Sequence, residues 1–363
     1  MPINMWESPV IMGVAKRVEP RFYFFGSYFN RTPAEYHYSD LIVLDEEEES
    51  LLITPYAHPD AEAVTVRNVG FKSRYFEPAC IKDKAKLTSK DGLVRLAGEP
   101  IGDLKNAPER IKKRYAQLIT NMMLRYHYRL EQMACELIKT GTLSIRPDRE
   151  LKSNPYVINF ERHNDLLQEL DLAHHWTNPN TDIGSQLEEW SSKLLLHSGG
   201  HVEKVVAGSQ AWSWLKQNKK FAELYALNKG NQTNIPLDPE KPIKGIKYRG
   251  NFGEFPIYEH VAQYRDPQTG KLEYFVEPNE IIILTSAIEG NRHFAVIKDM
   301  EANYKPMDYF MKSWDKKEPS AKFVKIESHP LLLLKGKDAA NAAMTIKVGV
   351  KGAKVDKAGA KAS

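Results

Sequence analysis

The stretch from Pro108 to Thr140 reads PERIKKRYAQLITNMMLRYHYRLEQMACELIKT, and its pattern is helical throughout. At 1.5 Å per residue, a helix of this length extends for about 50 Å. Asn106 is expected to cap its start, and Gly141 is suited to the position after its last turn. Apolar residues recur at spacings of three and four and form one stripe along the predicted helix. They are Ile111, Tyr115, Leu118, Ile119, Met122, Tyr126, Leu130, Met133, Ala134 and Leu137.

The segments on either side of this helix have strand-like sequences. Leu51–Leu93 is a polar arm punctuated by proline and glycine, and it is too polar to form a core of its own. Thr142–Ile145 and Tyr156–Phe160 predict a β-hairpin after the helix. A long helix joined to an arm that cannot bury itself predicts a subunit that completes its packing on other subunits.

Three lysines of the arm, Lys82, Lys84 and Lys86, are spaced two apart, so a strand places them on one face. Two interpretations are open. Lysines on a strand often serve only to discourage edge pairing. Alternatively, this face meets an acidic surface of a neighbouring subunit, such as the run Asp45–Glu49.

The polar face of the long helix is basic, which indicates either a solvated surface or one that faces DNA or acidic groups. Its residues are Arg110, Lys112, Lys113, Arg114, Arg125 and Arg129.

The N-terminal segment 1–35 is rich in aromatic residues but shows no clear period. It is either an extended arm lying on an apolar surface or an ordinary strand packed on its own domain. The apolar run Leu41–Leu44 predicts a short buried strand.

Residues 163–320 have the pattern of a mixed α/β domain. Helices are predicted at Ile183–His197, capped by Asp182 and stopped by Gly199, and at Ala211–Leu227. The chain closes with Lys322–Leu334, which predicts one buried strand. The strands predicted within 163–320 are Glu203–Ala207, Phe255–His260, Tyr274–Val276, Ile281–Thr285 and His293–Ile297.

Composition limits the possible classes of protein. A chain of 363 residues with 42% hydrophobic content can hold about two domains. No apolar run reaches the 18 residues expected of a membrane span, and the N-terminus lacks a secretory pattern. Cys80 and Cys135 are expected to be free thiols.

The net charge of +4 lies in the last 17 residues, where five lysines accompany one aspartate. The rest of the chain is therefore neutral, unlike a dedicated nucleic-acid reader.

The sequence carries no recognisable catalytic constellation. It has neither a glycine-rich phosphate loop nor a nucleophile elbow, so we predict no catalytic, cofactor-binding or metal-ligating residues. Histidines concentrate between His163 and His201 with no carboxylate at ligand spacing. A metal-dependent hydrolase using His163, His174 or His175 is retained as a remote alternative.

Four stretches, in order, carry a resemblance to a known family. They are Thr54-Pro55, Tyr248–Glu254 (YRGNFGE), Glu277–Glu280 (EPNE) and Ile326–Leu334 (IESHPLLLL). Together with the order of elements, they make the region from about Tyr36 to Val348 similar to the lambda-like major capsid proteins, the capsid protein E family.

This resemblance implies an α+β chain with the Hong Kong 97-type capsid fold. The long helix would be the spine helix of a peripheral domain, and Leu51–Leu93 would be the E-loop that reaches over an adjacent subunit. The implied regions are an N-terminal arm (1–40), an E-loop region (41–100), a peripheral domain (101–162), an axial α/β domain (163–320), closing strands of the peripheral domain (321–349) and a basic low-complexity tail (350–363).

The implied function is that of a major capsid protein of a tailed double-stranded DNA bacteriophage. Copies would assemble into hexamers and pentamers in the host cytoplasm and form the virion shell, with no membrane involved. Implied partners are a portal, a scaffolding protein, in some relatives a decoration protein, and packaged DNA contacted without sequence specificity. An encapsulin-like cellular compartment is the first alternative.

We predict two sets of contact residues on this basis. The tail lysines Lys351, Lys354, Lys357 and Lys361 are candidates for contact with DNA or a partner. The candidates for contact between subunits are Arg67, Phe71, Arg74, Tyr75, Phe76, Lys82, Lys84 and Lys86.

Overall fold

The computed structural model describes residues 7–18, 24–47, 71–95, 107–145, 156–219 and 244–353. No helix within these ranges is long and apolar enough to cross a membrane. The helices are α1 (Ser8–Ala15), α2 (Ser89–Leu93), α3 (Ala107–Thr140), α4 (Ile183–Ser198), α5 (Ser209–Gln217) and α6 (Gly336–Ala340).

The strands of the described regions are short, and most lie in the second half of the chain. They are β1 (Glu35–His37), β2 (Ile42–Glu47), β3 (Phe71–Phe76), β4 (Ile81–Thr88), β5 (Thr142–Ile145), β6 (Tyr156–Asn159), β7 (Leu167–Glu169), β8 (Val202–Ala207), β9 (Ile246–Phe252), β10 (Phe255–His260), β11 (Gln263–Arg265), β12 (Leu272–Tyr274), β13 (Glu280–Thr285), β14 (Gly290–Ala295), β15 (Phe310–Lys316), β16 (Ala321–Ser328), β17 (Pro330–Leu334) and β18 (Ala343–Lys347).

The long helix α3 confirms the prediction for the spine. It ends at Thr140 because Gly141 takes a left-handed φ of 68° and donates its N–H to the Leu137 carbonyl at 2.8 Å. The predicted cap Asn106 lies outside the described residues. Most of the apolar stripe is buried in the larger core of the subunit, and Ile111 and Leu118 pack against it half-buried. The thiol of Cys135 lies in the same core and donates to the Phe275 carbonyl.

A six-stranded mixed sheet, ordered β7-β18-β13-β8-β10-β9, forms the centre of the second core. Its middle strand β13 is buried at every residue, as its continuous apolar run predicts. Helices α4 and α5 pack on this sheet through three buried tryptophans, Trp190, Trp212 and Trp214. Trp176, which precedes α4, is also buried and stacks on Trp190.

Five smaller sheets complete the described fold. Two have three strands, ordered β1-β14-β17 and β15-β16-β4. The hairpins β2–β3, β5–β6 and β11–β12 are two-stranded. The β5–β6 pair confirms the hairpin predicted after the long helix.

The prediction of a single closing strand at Lys322–Leu334 is wrong. The backbone forms β16, leaves the strand at His329, and continues as β17 in a different sheet. Pro330 begins β17 and has no N–H to continue the ladder of β16. The region predicted to close the peripheral domain also contains β18, which pairs with β13 in the six-stranded sheet.

In its described parts, the aromatic N-terminal segment has neither of the two predicted forms. Residues 8–15 are helical, and Gly26–Phe29 form a 3-10 turn whose aromatic side chains are buried in the larger core. The predicted buried strand Leu41–Leu44 exists as β2, but only Ile42 is fully buried, while Leu41 and Val43 are exposed.

Three boundaries in the α/β region also differ from prediction. Helix α5 ends at Gln217 because Asn218 turns to extended geometry and its side chain donates to the Thr181 carbonyl at 2.8 Å. Residues 220–243 lie outside the described chain. Strand β12 ends at Tyr274, and β14 lies three residues earlier than expected at its start.

Candidate assembly interface

The β2–β3 hairpin at the start of the arm has one covered face and one open face. On the covered face, Ile42 lies opposite Phe76, and Ile42 has 0% exposure. On the open face, Val43 lies opposite Tyr75, and Tyr75 is 67% exposed. An isolated two-stranded hairpin is marginal in water, so this open apolar pair is suited to contact with another chain.

Of the remaining contact candidates on or near β3, two contact residues of their own chain, and the others cannot be placed because they lie wholly or partly outside the described residues. Phe76 stacks on Phe160 with ring centroids 6.4 Å apart, and the Arg74 guanidinium pairs with Glu161 at 3.0 Å. Phe71 begins β3, and nothing is described of its side chain. Arg67 lies outside the described residues.

The three arm lysines lie on one exposed face of β4, as predicted. Each is close to a group of its own chain, because β4 pairs with β16 along its whole length. Lys82 Nζ lies 3.2 Å from Glu327, and the ammonium groups of Lys84 and Lys86 lie 5.5 and 6.0 Å from the ring centre of Phe323. Contact of this face with a neighbour's acidic run stays a prediction.

A buried ionic network anchors β4 to β16. Glu327 is 1% exposed and accepts from Lys325 Nζ at 2.6 Å and lies 3.2 Å from His329 Nε2. Lys325 also donates to Asp299, at 3.0 Å. The Cys80 thiol lies 3.5 Å from the same nitrogen of His329. The network therefore joins the chain before β4, at Cys80, to strand β16 and to the break at His329 that follows it.

The network keeps its members charged. Burial by itself raises the pKa of Glu327, but hydrogen bonds from His329, Lys325 and Lys82 outweigh it and lower that pKa to about 2. Burial likewise lowers the pKa of His329, yet its contacts with Cys80 and Glu327 raise it to about 9. Glu327 is thus an anion and His329 a cation at neutral pH.

The basic face of α3 is partly neutralised within the chain. Arg125 donates to Asp83 on the inner face of β4 at 2.7 Å. Arg114 lies 3.6 Å from Asp91 and donates to the Val94 carbonyl at 3.2 Å. Arg110 is buried. At Arg114 and Arg125, the helix therefore faces acidic side chains of its own chain, on α2 and β4.

A single carboxylate secures the N-terminal segment to α3. Glu131 accepts backbone hydrogen bonds from Phe24, Phe25 and Gly26 at 2.9, 2.7 and 3.0 Å. Its burial raises its pKa, while the three N–H donors act in the opposite direction. Sequence reasoning missed this residue, although a glutamate between Leu130 and Met133 on the buried side of a helix was a usable signal.

A buried arginine joins the ends of two helices. Arg162 donates to the Ile138 and Lys139 carbonyls of α3 at 2.7 and 2.9 Å, and to the Ala340 carbonyl at the end of α6 at 2.6 Å. Cations are favourable at helix C-termini because of the unsatisfied carbonyls there. Burial lowers the pKa of Arg162 to about 9. Through these hydrogen bonds, Arg162 connects the C-terminal end of the spine helix to that of α6, the helix that follows β17.

Of the tail lysines, the structure places only Lys351. Its ammonium pairs with Glu277 at 2.7 Å and lies over the ring of Tyr274. Lys354, Lys357 and Lys361 lie outside the described residues.

The structure corrects the expectation that the histidines have no carboxylate partner. Asp165 lies between His163 and His197, with oxygen-to-nitrogen distances of 2.9 and 3.0 Å. His174 pairs with Asp171, and His175 Nε2 lies 2.8 Å from the Leu170 carbonyl. The three histidines of the hydrolase alternative therefore have separate partners and do not converge on one reacting centre.

Comparison with known proteins identifies the family. The model of the family described as phage major capsid protein E matches residues 10–344. The chain belongs to this family. It is 21% identical over 300 residues to the major capsid protein of Escherichia phage lambda, covering 78% of this chain and 82% of that protein. The corresponding protein of Escherichia phage N15 is 21% identical over 292 residues, with the same coverage.

Solved structures agree in fold. A prophage capsid protein from Escherichia coli CFT073 has a TM-score of 0.71 at 17% identity, covering 94% of this chain and 99% of that one. A phage-related protein from Bordetella bronchiseptica RB50 has a TM-score of 0.52 at 12% identity, covering 94% and 97%. The chain thus has the predicted α+β Hong Kong 97-type capsid fold. As a capsid protein E it is a major capsid protein of a tailed phage, a structural component of the virion shell that assembles with copies of itself.

Proposed function

We propose that the subunit forms the hexamers and pentamers of an icosahedral shell, and that the open face of the β2–β3 hairpin is a contact between neighbours. The observation that carries this proposal is the exposed apolar pair Val43 and Tyr75 on a hairpin whose other face is already packed. Apolar surface left in this position gains its stabilisation only when a second chain covers it.

The test uses two substitutions at one position. Tyr75→Asp places a charge in the proposed contact, whereas Tyr75→Phe keeps the apolar ring and removes only the hydroxyl. We expect Tyr75→Asp to remain folded but to lose shells and capsomers in electron micrographs and sedimentation, and Tyr75→Phe to assemble normally. Normal shells from Tyr75→Asp would exclude this face as a contact.

We propose that the shell encloses double-stranded DNA with little direct affinity for it. The described part of the chain supports this, because Arg114 and Arg125 on the helix face acidic groups of their own subunit. Lys351 is likewise held by Glu277, so the hypothesis of a DNA- or partner-binding tail now concerns Lys354, Lys357 and Lys361. Removing residues 354–363 is expected to reduce genome packaging or particle stability, and unchanged particles would leave the tail a solubilising end.

We propose that assembly takes place in the host cytoplasm with a separate portal and scaffolding protein and, as in some relatives, a decoration protein. The support is the family, whose members are shell subunits and which gives no reason to assign this chain a catalytic role. An encapsulin-like compartment would hold cargo enzymes. Nucleic acid of genome length inside purified particles would distinguish the phage shell from that compartment.

A further inference from the structure

Two strands from distant parts of the chain bring three potential metal ligands together. Strand β1 runs parallel to β14, with Glu35 opposite His293 and His37 opposite Ala295. Because side chains alternate along a strand, Glu35 and His37 project from the same face of β1. That face meets the imidazole of His293.

The distances among the three side chains fit a small divalent ion. His37 Nε2 lies 3.0 Å from His293 Nδ1, and His293 Nδ1 lies 3.5 Å from Glu35 Oε2. All three ligand atoms lie within 4.8 Å of one another. Zinc bonds of about 2.0–2.2 Å in tetrahedral geometry place ligand atoms roughly 3.3–3.5 Å apart.

The carboxylate is already oriented by a neighbouring side chain. Asn291 Nδ2 donates to Glu35 Oε1 at 3.0 Å, and the Thr32 hydroxyl in turn contacts Asn291 Oδ1. This leaves Glu35 Oε2 directed at the histidines. Partners of this kind fix the orientation of metal-binding groups.

The histidine on β14 lies at the buried side of the site. His293 is 3% exposed, so its ring nitrogen is a ligand shielded from solvent. His37 is half-buried and Glu35 is exposed, so the ion can enter from solvent and keep a water ligand.

We propose that Glu35, His37 and His293 bind one Zn²⁺ ion, with water as the fourth ligand. The ion connects β1, a three-residue strand whose only partner in the described chain is β14, to the sheet that β17 completes. It secures the junction between the N-terminal segment and the arm, and its binding energy adds directly to the stability of the folded subunit.

The second histidine cluster is the natural control. In the group His163, Asp165 and His197, one nitrogen of each imidazole ring already contacts a separate oxygen of Asp165. No other side chain in the described residues orients that carboxylate for an ion. The side chain of His163 is also 62% exposed, whereas that of His293 is 4% exposed. We therefore assign the zinc site to β1 and β14.

The test measures zinc bound to the purified full-length protein after dialysis, together with its melting temperature with and without ZnCl2. We expect one Zn²⁺ per chain, a higher melting temperature with zinc, and the absorption of tetrahedral Co²⁺ after exchange. His37→Gln and Glu35→Gln should each weaken zinc binding by at least about 10-fold, whereas His163→Gln should bind as the parent does.

Three outcomes would overturn the site. The first is a folded parent protein that binds no stoichiometric zinc, which would leave His37 and His293 as a hydrogen-bonded pair. The second is zinc binding that survives His37→Gln. The third is zinc binding that is lost in His163→Gln, which would move the ion to the control cluster. Circular dichroism of each variant establishes that the chain is folded.

Discussion

The two described strands of the arm, β3 and β4, are separated by four residues and are stabilised in opposite ways. Strand β4 pairs with β16 over eight residues and is anchored by buried charges at Glu327. Within the described residues, strand β3 pairs only with β2, and one face of that hairpin is open to solvent. The difference separates the part of the arm that belongs to the folded subunit from the part that is available to a neighbour.

Of the substitutions that test this difference between β3 and β4, Glu327→Ala is expected to have the largest effect on the free energy of unfolding. The change leaves His329, Lys325 and Lys82 without their shared anion, and breaking a buried pair in this way costs about 3–5 kcal/mol. Urea unfolding of the unassembled subunit measures it. The matched control is Glu169→Ala, which removes an exposed pair with Lys347 and should cost under about 1 kcal/mol. Equal costs for the two variants would contradict the anchoring role of Glu327.

The next effect is a dependence of β4 anchoring on pH. The folded-state pKa of His329, about 9, is above its ordinary 6.5, so its contribution is complete below pH 6.5 and is lost as pH rises through 9. The folded-state pKa of Glu327, about 2, is below its ordinary 4.5, so its contribution is complete above pH 4.5 and is lost as pH falls through 2.

We therefore expect the free energy of unfolding to fall by about 1–3 kcal/mol between pH 6.5 and 9.5. His329→Gln should flatten this decline, and Cys80→Ser separates it from titration of the neighbouring thiol. A decline that persists unchanged in His329→Gln would assign it to other groups.

A smaller effect distinguishes the two faces of β3. Phe76→Ala removes the ring that stacks on Phe160 and should cost about 1–2 kcal/mol, less than a fully buried phenylalanine. Tyr75→Ala removes an exposed ring and should change the stability of the subunit by under about 0.5 kcal/mol. If Tyr75→Ala costs as much as Phe76→Ala, the open face is already covered within the subunit.

The last effect on subunit stability, no larger than that of Phe76→Ala, is expected from the double reversal Lys84→Glu and Lys86→Glu. Both ammonium groups lie over Phe323 at exposed positions, where such contacts contribute up to about 1 kcal/mol each. Lys82 is left unchanged because it pairs with Glu327. If this face meets an acidic neighbour, the variant should fold but assemble poorly, as seen in sedimentation. Normal assembly would favour the other interpretation, in which these lysines only discourage unwanted strand pairing.

Local sequence signals predicted the elements whose causes are local. The end of α3 is set by Gly141, and the helix α4 begins at its predicted cap, Asp182, which accepts from the Ser185 N–H. The buried run of β13 reads directly as a strand. The alternation of Lys82, Lys84 and Lys86 predicted their common face because a strand fixes that geometry by itself.

The parts that could not be predicted depend on groups far apart in the chain. Glu131 meets the Phe24–Gly26 backbone more than 100 residues away, and the contact of Cys80 with His329 spans 249 residues. Nothing in the spacing of either group indicates its partner. The break at His329 was readable in part, since alternating residues before it give way to an uninterrupted apolar run after Pro330.

That break has a mechanical consequence. The backbone from Ala321 to Leu334 passes without interruption from the sheet containing β4 into the sheet containing β14, so a pull on one sheet is carried to the other by covalent bonds. Tension along β16 loads its eight-residue pairing with β4 in shear, so that many hydrogen bonds must break at the same time. A pull perpendicular to the strands at one end would instead break these hydrogen bonds one after another. Outward pressure from densely packed contents would thus be resisted by chain connectivity as well as by packing.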